Sequence, residues 1–285
     1  MLHHQSILEF KGGRYLRLAL VLCALSIGGY VWHEPPTVYL KPFGGTWFGY
    51  TLGIAGALII LWLMLLGIRK RRYRSGMGTM QGWTSAHVYI GVSLAVIVTL
   101  HCGFEFGWNV HTLAYALMML VIVSGIFGMY AYLRYPALMT KNVGEDTVEA
   151  IMLKIADLDR KCRTMALDLP DEANQIVNRA TRVAVRQVQV GYSFRQQLSG
   201  DKVPCPTREA CQALTRLGSQ WQGGQGELLK QLLMHMTRKS MLVDRIRRDL
   251  RFRALMRVWL VLHVPLSFAL LAALITHIIS VFYYW

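Results

Sequence analysis

Apolar residues gather into five runs along the chain, and a polar block over residues 134–255 separates the fourth run from the fifth. The runs cover Leu16–Trp32, Trp47–Ile68, Trp83–Phe104, Val110–Tyr132 and Val258–Tyr284. About 20 apolar residues in a helix cross roughly 30 Å of hydrocarbon, so each run predicts a transmembrane helix. The expected fold is therefore all-α: a polytopic membrane protein with five spans and a helical insert. Residues 1–133 carry spans one to four, 134–255 form the insert, and 256–285 supply span five. The first run is the shortest, and Lys11, Arg14 and Arg17 at its start resemble a signal peptide. No small-x-small cleavage site follows it, so it is read as a retained span.

The polar block has its own periodicity. "EDTVEAIMLKIADLDRKCRTMALDL" sets Val148, Ile151, Met152, Ile155, Leu158 and Met165 on one helical stripe. After Pro170, "DEAN" restarts a helix with Ile176, Val177, Ala180 and Val183 at similar spacing. A polar, glycine-bearing stretch from Gly191 to Gly226 precedes "ELLKQLLMHMTRKSMLVDRIRRDLRFRALMR", a long helix that leads toward span five. The block predicts a helical subdomain whose role is either docking a partner or bracing the bundle. It holds no catalytic constellation.

Hydrophobic residues make up 54% of the 285 positions, with a mean hydropathy of +0.33, which agrees with a membrane protein. The net charge of +15 invites a nucleic-acid reading, but its distribution argues for topology instead. Arg69, Lys70, Arg71, Arg72 and Arg74 sit between spans two and three, and 22 of the 31 basic residues lie in 134–257. The opposite side carries only Lys41. Positive-inside asymmetry then assigns the amino terminus, the 69–82 loop and the insert to the cytoplasm, and the carboxyl terminus to the outer side. The expected setting is a bacterial inner (plasma) membrane. An anionic leaflet and a partner surface account for the basic insert without nucleic acid.

Five cysteines, Cys23, Cys102, Cys162, Cys205 and Cys211, form neither CxxC nor CxxCH, which argues against covalent c-type haem and cysteine-bound clusters. Cys205 and Cys211 share the stretch "VPCPTREAC" and are read as two ordinary thiols in preference to a zinc or redox pair.

The chemistry lies with the histidines. "HVYIGVSLAVIVTLH" runs from His87 to His101, and "HVPLSFALLAALITH" from His263 to His277. Ionisable residues within hydrocarbon are costly and usually functional. Fourteen helical steps return to within about 40° of the start and rise about 21 Å, so each pair shares a face with one imidazole near each leaflet. Spans three and five run in the same direction. Facing one another, they would pair His87 with His263 on the inner side and His101 with His277 on the outer side. Axial haem ligation needs one imidazole from each side of the porphyrin, so two stacked b-type haems are expected, with quinone as a further candidate ligand.

The two His-x13-His helices resemble the di-haem core of membrane cytochromes b, as in cytochrome bc complexes and ferric-reductase-like transmembrane proteins. The resemblance covers spans two to five and implies a haem-holding helical bundle that passes electrons between its two haems. The Pro-Glu-Trp-Tyr quinol motif is absent, as is any glycine-rich dinucleotide fingerprint, so neither activity carries over. Such a chain needs other subunits of a redox complex: a cytoplasmic partner docking on the insert and an electron carrier at the outer face.

Further residues fit this frame. Gly91, Gly125 and Gly128 would admit a porphyrin close to the backbone, or serve helix contacts. The arginines of 69–74 stand at the depth of inner propionates. His111 opens span four at outer depth as an alternative outer ligand, a quinone-binding residue or, the preferred reading, an interfacial residue. His33 and His235 read as solvated, and Trp32, Trp47, Trp83 and Trp108 as interfacial anchors. Two competing functions remain open here: a membrane sensor or scaffold signalling through the insert, and a transporter using the histidines as a relay.

Overall fold

A computed structural model describes residues 9–33, 43–72, 78–143, 146–190, 205–218, 221 and 223–284. Lys41, Arg74 and the stretch 191–204 lie outside the described residues, as does the side chain of Val183. Among the described residues all regular structure is helical: α1 (Arg14–Trp32), α2 (Trp47–Arg71), α3 (Met80–His101), α4 (Val110–Val143), α5 (Val148–Ala166), α6 (Asp171–Val190), α7 (Pro206–Gly218) and α8 (Gly224–Tyr284). Five of these, α1 to α4 and α8, are long and apolar enough to cross a membrane. Large apolar side chains such as Leu25, Leu58, Val123 and Phe268 stand exposed along them, as lipid-facing positions would.

The chain divides into two compact units, Met1–Tyr130 with Trp259–Trp285, and Ala131–Val258. Helices α4 and α8 are longer than the apolar runs that predict them. Each continues through residues of both units, with Pro136 inside α4 and Pro265 inside α8. At each proline the ring removes one backbone donor, freeing a carbonyl one turn earlier.

In the first unit, short polar caps set where the apolar helices begin. Thr46 accepts from the Gly49 N–H, Thr79 from the Gly82 N–H and Asn109 from the Thr112 N–H, each satisfying an otherwise orphaned donor in the first turn. Helix α3 packs against both α1 and α2. Leu52, Ile97 and Leu100 form one buried cluster with Leu22 and Phe48 packed on it. A second layer joins Ile60 of α2, Leu94 of α3, Met118 of α4 and Leu270 of α8. Leu94 and Leu270 each stand midway between the two histidines of their helix, so this apolar layer fills the level between the two histidine heights.

The second unit buries two apolar clusters of its own. One joins Cys162, Ala166, Val177, Ala180, Leu214, Leu232 and Met236 across α5 to α8. The other joins Ile151, Ile155, Leu158, Cys205, Leu242, Val243 and Ile246. The α5 stripe is thus the buried face, as its spacing predicts. Between the clusters, the fully buried Lys239 ammonium of α8 pairs with the fully buried Asp159 carboxylate of α5. All five cysteines are free thiols. Cys205 and Cys211 belong to different parts of this interior, Cys205 in the second cluster and Cys211 against the first. Burial pushes the Cys162 thiol up to about 11, so it carries almost no thiolate at neutral pH. Maleimide at pH 7.5 is expected to leave Cys162 unmodified in the folded protein and to label it fully after denaturation, read by peptide mass analysis.

Candidate functional site

The four histidines expected to carry chemistry lie on α3 and α8, and each uses its Nδ1 atom in a hydrogen bond. His87 Nδ1 lies 3.2 Å from the Leu63 carbonyl of α2. His101 Nδ1 lies 2.8 Å from the Gly49 carbonyl, also of α2. A carbonyl only accepts, so both imidazoles donate from Nδ1–H and keep the Nε2 lone pair. His263 Nδ1 lies 2.7 Å from Ser124 Oγ of α4, and that hydroxyl donates to the Val121 carbonyl at 2.8 Å. With the serine proton committed, its oxygen accepts from His263, which again leaves Nε2 unprotonated. Among the described residues, no hydrogen bond is made to Nε2 of these three histidines.

Near the carboxyl ends of α3 and α8, the rings of His101 and His277 stand 6.1 Å apart and nearly perpendicular, at 88°. Two imidazoles sharing one metal at bonds of about 2 Å need ring centres roughly 6 Å apart, so this separation suits shared ligation. Among the described residues, His87 and His263 make no ring contact or hydrogen bond with one another; their rings meet Leu63, Ser124 and Trp259 instead. The structure thus brings His101 and His277 together across α3 and α8. Among the described residues, no group of three or more His, Cys, Asp or Glu has metal-holding geometry.

His111 contacts one of the candidate ligands. In the first turn of α4, its Nδ1 hydrogen-bonds Nδ1 of His277, with ring centres 4.6 Å apart. Three imidazoles thus gather there, His101, His111 and His277. His33 differs from its expected solvated state: it is half-buried, stacked on Phe48 and edge-on to Trp47, and its buried Nε2 has no hydrogen-bond partner among the described residues. The aromatic start of α2 shields it. His235 is half-buried in the second unit.

The glycines divide by environment. A Cβ on Gly125 would meet the His263 ring at 3.5 Å, so this glycine lies beneath the imidazole. Gly128 is filled by the Trp259 indole, whose Nε1–H donates to the Ser124 carbonyl at 2.7 Å; it serves a contact between α4 and α8. Gly91 faces Leu63 at ordinary contact distance. More telling are Gly49 and Gly53 on α2, absent from the sequence-based candidates. A Cβ on Gly53 would come within 2.7 Å of the His101 ring, and one on Gly49 would collide with the Phe43 carbonyl. Their spacing with Gly56, four and then three residues along one face, was a readable sign of close helix approach. Leu63 had no such sign, because it acts through a backbone atom.

Arg69 is not free to meet a ligand. Buried at 7% exposure, its guanidinium donates to the carbonyls of Arg72 at 2.9 Å and Gly78 at 2.7 Å, closing the loop after α2. Trp32, Trp47 and Trp108 are exposed at helix ends, whereas Trp83 stacks on Trp62 with centroids 5.2 Å apart.

No protein-family model, no curated protein and no solved structure matches this chain.

Proposed function

We propose that this chain is a di-haem b-type cytochrome subunit. It would carry electrons across the membrane between a quinone or a cytoplasmic donor or acceptor and a redox partner on the opposite face. The observation that carries the reading is the shared tautomer: His87, His101 and His263 each donate from Nδ1 and present a bare Nε2. Ligating histidines recur in that arrangement, because a fixed Nδ1–H partner orients the ring and raises the basicity of the metal-binding nitrogen. The 6.1 Å separation of the His101 and His277 rings supports it independently.

His101 and His277 would hold the outer haem iron, and His87 and His263 the inner one. The carbonyls of Gly49 and Leu63 and the hydroxyl of Ser124 orient the rings, while Gly53 and Gly125 leave room for them. Haem, when bound, supplies one-electron chemistry, and the axial imidazoles are among the levers that tune its potential. The basic 134–257 region sets the inner level toward the cytoplasm by the positive-inside rule, and residues Ala131–Val258 offer a cytoplasmic partner its docking body.

A reduced-minus-oxidised spectrum of the detergent-purified chain, with a pyridine haemochrome assay, tests this directly. Two b-type haems per chain are expected, along with copurifying redox subunits when it is isolated from its native membrane. A colourless protein expressed under haem-sufficient conditions would end the proposal.

A further inference from the structure

The outer level holds one imidazole more than a pair needs. His111 and His277 have ring centres 4.6 Å apart, with the rings at 88° and their Nδ1 atoms hydrogen-bonded. That separation is too short to seat a metal between these two rings, whereas the 6.1 Å between His101 and His277 is suitable. With Nδ1 engaged by His111, His277 has only Nε2 left to offer. The other three histidines already show the same division of labour, each with an acceptor at Nδ1 from a different helix.

We infer that His111 is the positioning residue of the outer level. It accepts the Nδ1–H of His277, fixes that imidazole in the tautomer with a bare Nε2, and sets its basicity. The inference rests on the haem reading above. His111 fills the place that the Gly49 carbonyl fills for His101 and the Ser124 hydroxyl for His263. The local chain is built to hold it there. Asn109 accepts from the Thr112 N–H at 2.9 Å, and Thr112 Oγ1 accepts from the Gly107 N–H at 3.0 Å. These bonds lock the start of α4 on both sides of His111. An acceptor at Nδ1 increases electron donation from the ligating nitrogen and stabilises the oxidised metal. Its removal therefore moves the potential upward.

The test compares the full-length chain with H111F and H111L, which lack the acceptor, and H111Q, which keeps a carbonyl oxygen. Haem content comes from the pyridine haemochrome assay, and the two midpoint potentials from an optical redox titration. Low-temperature electron paramagnetic resonance reads the ligand field of each haem. Both acceptor-free variants are expected to keep two haems. One midpoint potential should shift positive with a changed low-spin signal, the other should stay fixed, and H111Q should restore much of the shift. The unshifted haem reports within each sample that the bundle is folded. If one haem is lost from both acceptor-free variants while the other persists, His111 is itself a ligand and the inference falls. It falls equally if neither potential moves. A wild-type chain without haem removes the underlying functional reading first, a result seen before any variant is compared.

Discussion

Replacing His263 with alanine is expected to remove one of two haems and leave the other spectroscopically unchanged. The haemochrome count should drop from two per chain to one, with the chain still inserted and monodisperse. Its fold should survive because α8 stays anchored to α4 next to the deletion, through the Trp259 Nε1–H bond to the Ser124 carbonyl. Pairing gives the prediction its discriminating power. H87A should lose the same haem as H263A, and the double variant H87A/H263A should lose no more than either. H263A/H277A, with one ligand missing at each level, should lose both. A double variant H87A/H263A without any haem would show that the histidines are not paired by depth. Retention of both haems in H263A would remove His263 from the site altogether.

The second large effect is expected in the other unit. Lys239 and Asp159 are fully buried and paired with one another between two apolar clusters. Breaking such a pair by removing one partner leaves a charge without compensation, at a cost of about 3–5 kcal/mol. K239M should therefore lower the thermal midpoint of the helical signal strongly, whereas K239M/D159L, which removes both charges, should recover most of the loss. Burial already pushes the Asp159 carboxyl up, and the Lys239 ammonium opposes that push. Without the lysine, the folded state holds a carboxyl with a raised pKa and binds a proton more tightly than the unfolded chain. The deficit of K239M should accordingly shrink as the pH falls from 8 toward 5. A K239M melt identical to wild type at pH 8 would show that the pair contributes nothing to this unit.

The apolar runs made the five long helices legible, because length and hydropathy alone predict them. Their far ends were harder to read. In α4 and α8, one continuous helix changes from uniformly apolar to amphipathic, so the hydropathy boundary falls inside the helix, and neither Pro136 nor Pro265 ends it. The α5 stripe through Ile151, Ile155 and Leu158 was legible from its period, but Asp159 and Lys239 on the buried side were not. Their burial depends on meeting one another from distant parts of the chain. At the site, depth and helical phase pointed to His101 and His277 as neighbours. They put His111 at a similar depth but could not show its contact with His277, which depends on how α4 is rotated toward α8. Nor could they find the Nδ1 partners, since the Leu63 and Gly49 carbonyls belong to the backbone and carry no side-chain signature.

The leucine, isoleucine and methionine layer between the two histidine heights bears on membrane energetics. The hydroxyls bordering it are engaged: Ser93 donates to the Ile90 carbonyl, Thr99 donates to Ala95 and meets the Tyr115 hydroxyl at 3.1 Å, and Ser124 donates to Val121 while accepting from His263. Between the two imidazole levels the layer itself sets the apolar side chains of Ile60, Leu94, Met118 and Leu270, which a hydrated ion would meet as hydrocarbon. Under the di-haem proposal, electrons would cross this layer where hydrated ions would not, and such a bundle would carry charge without short-circuiting an ion gradient.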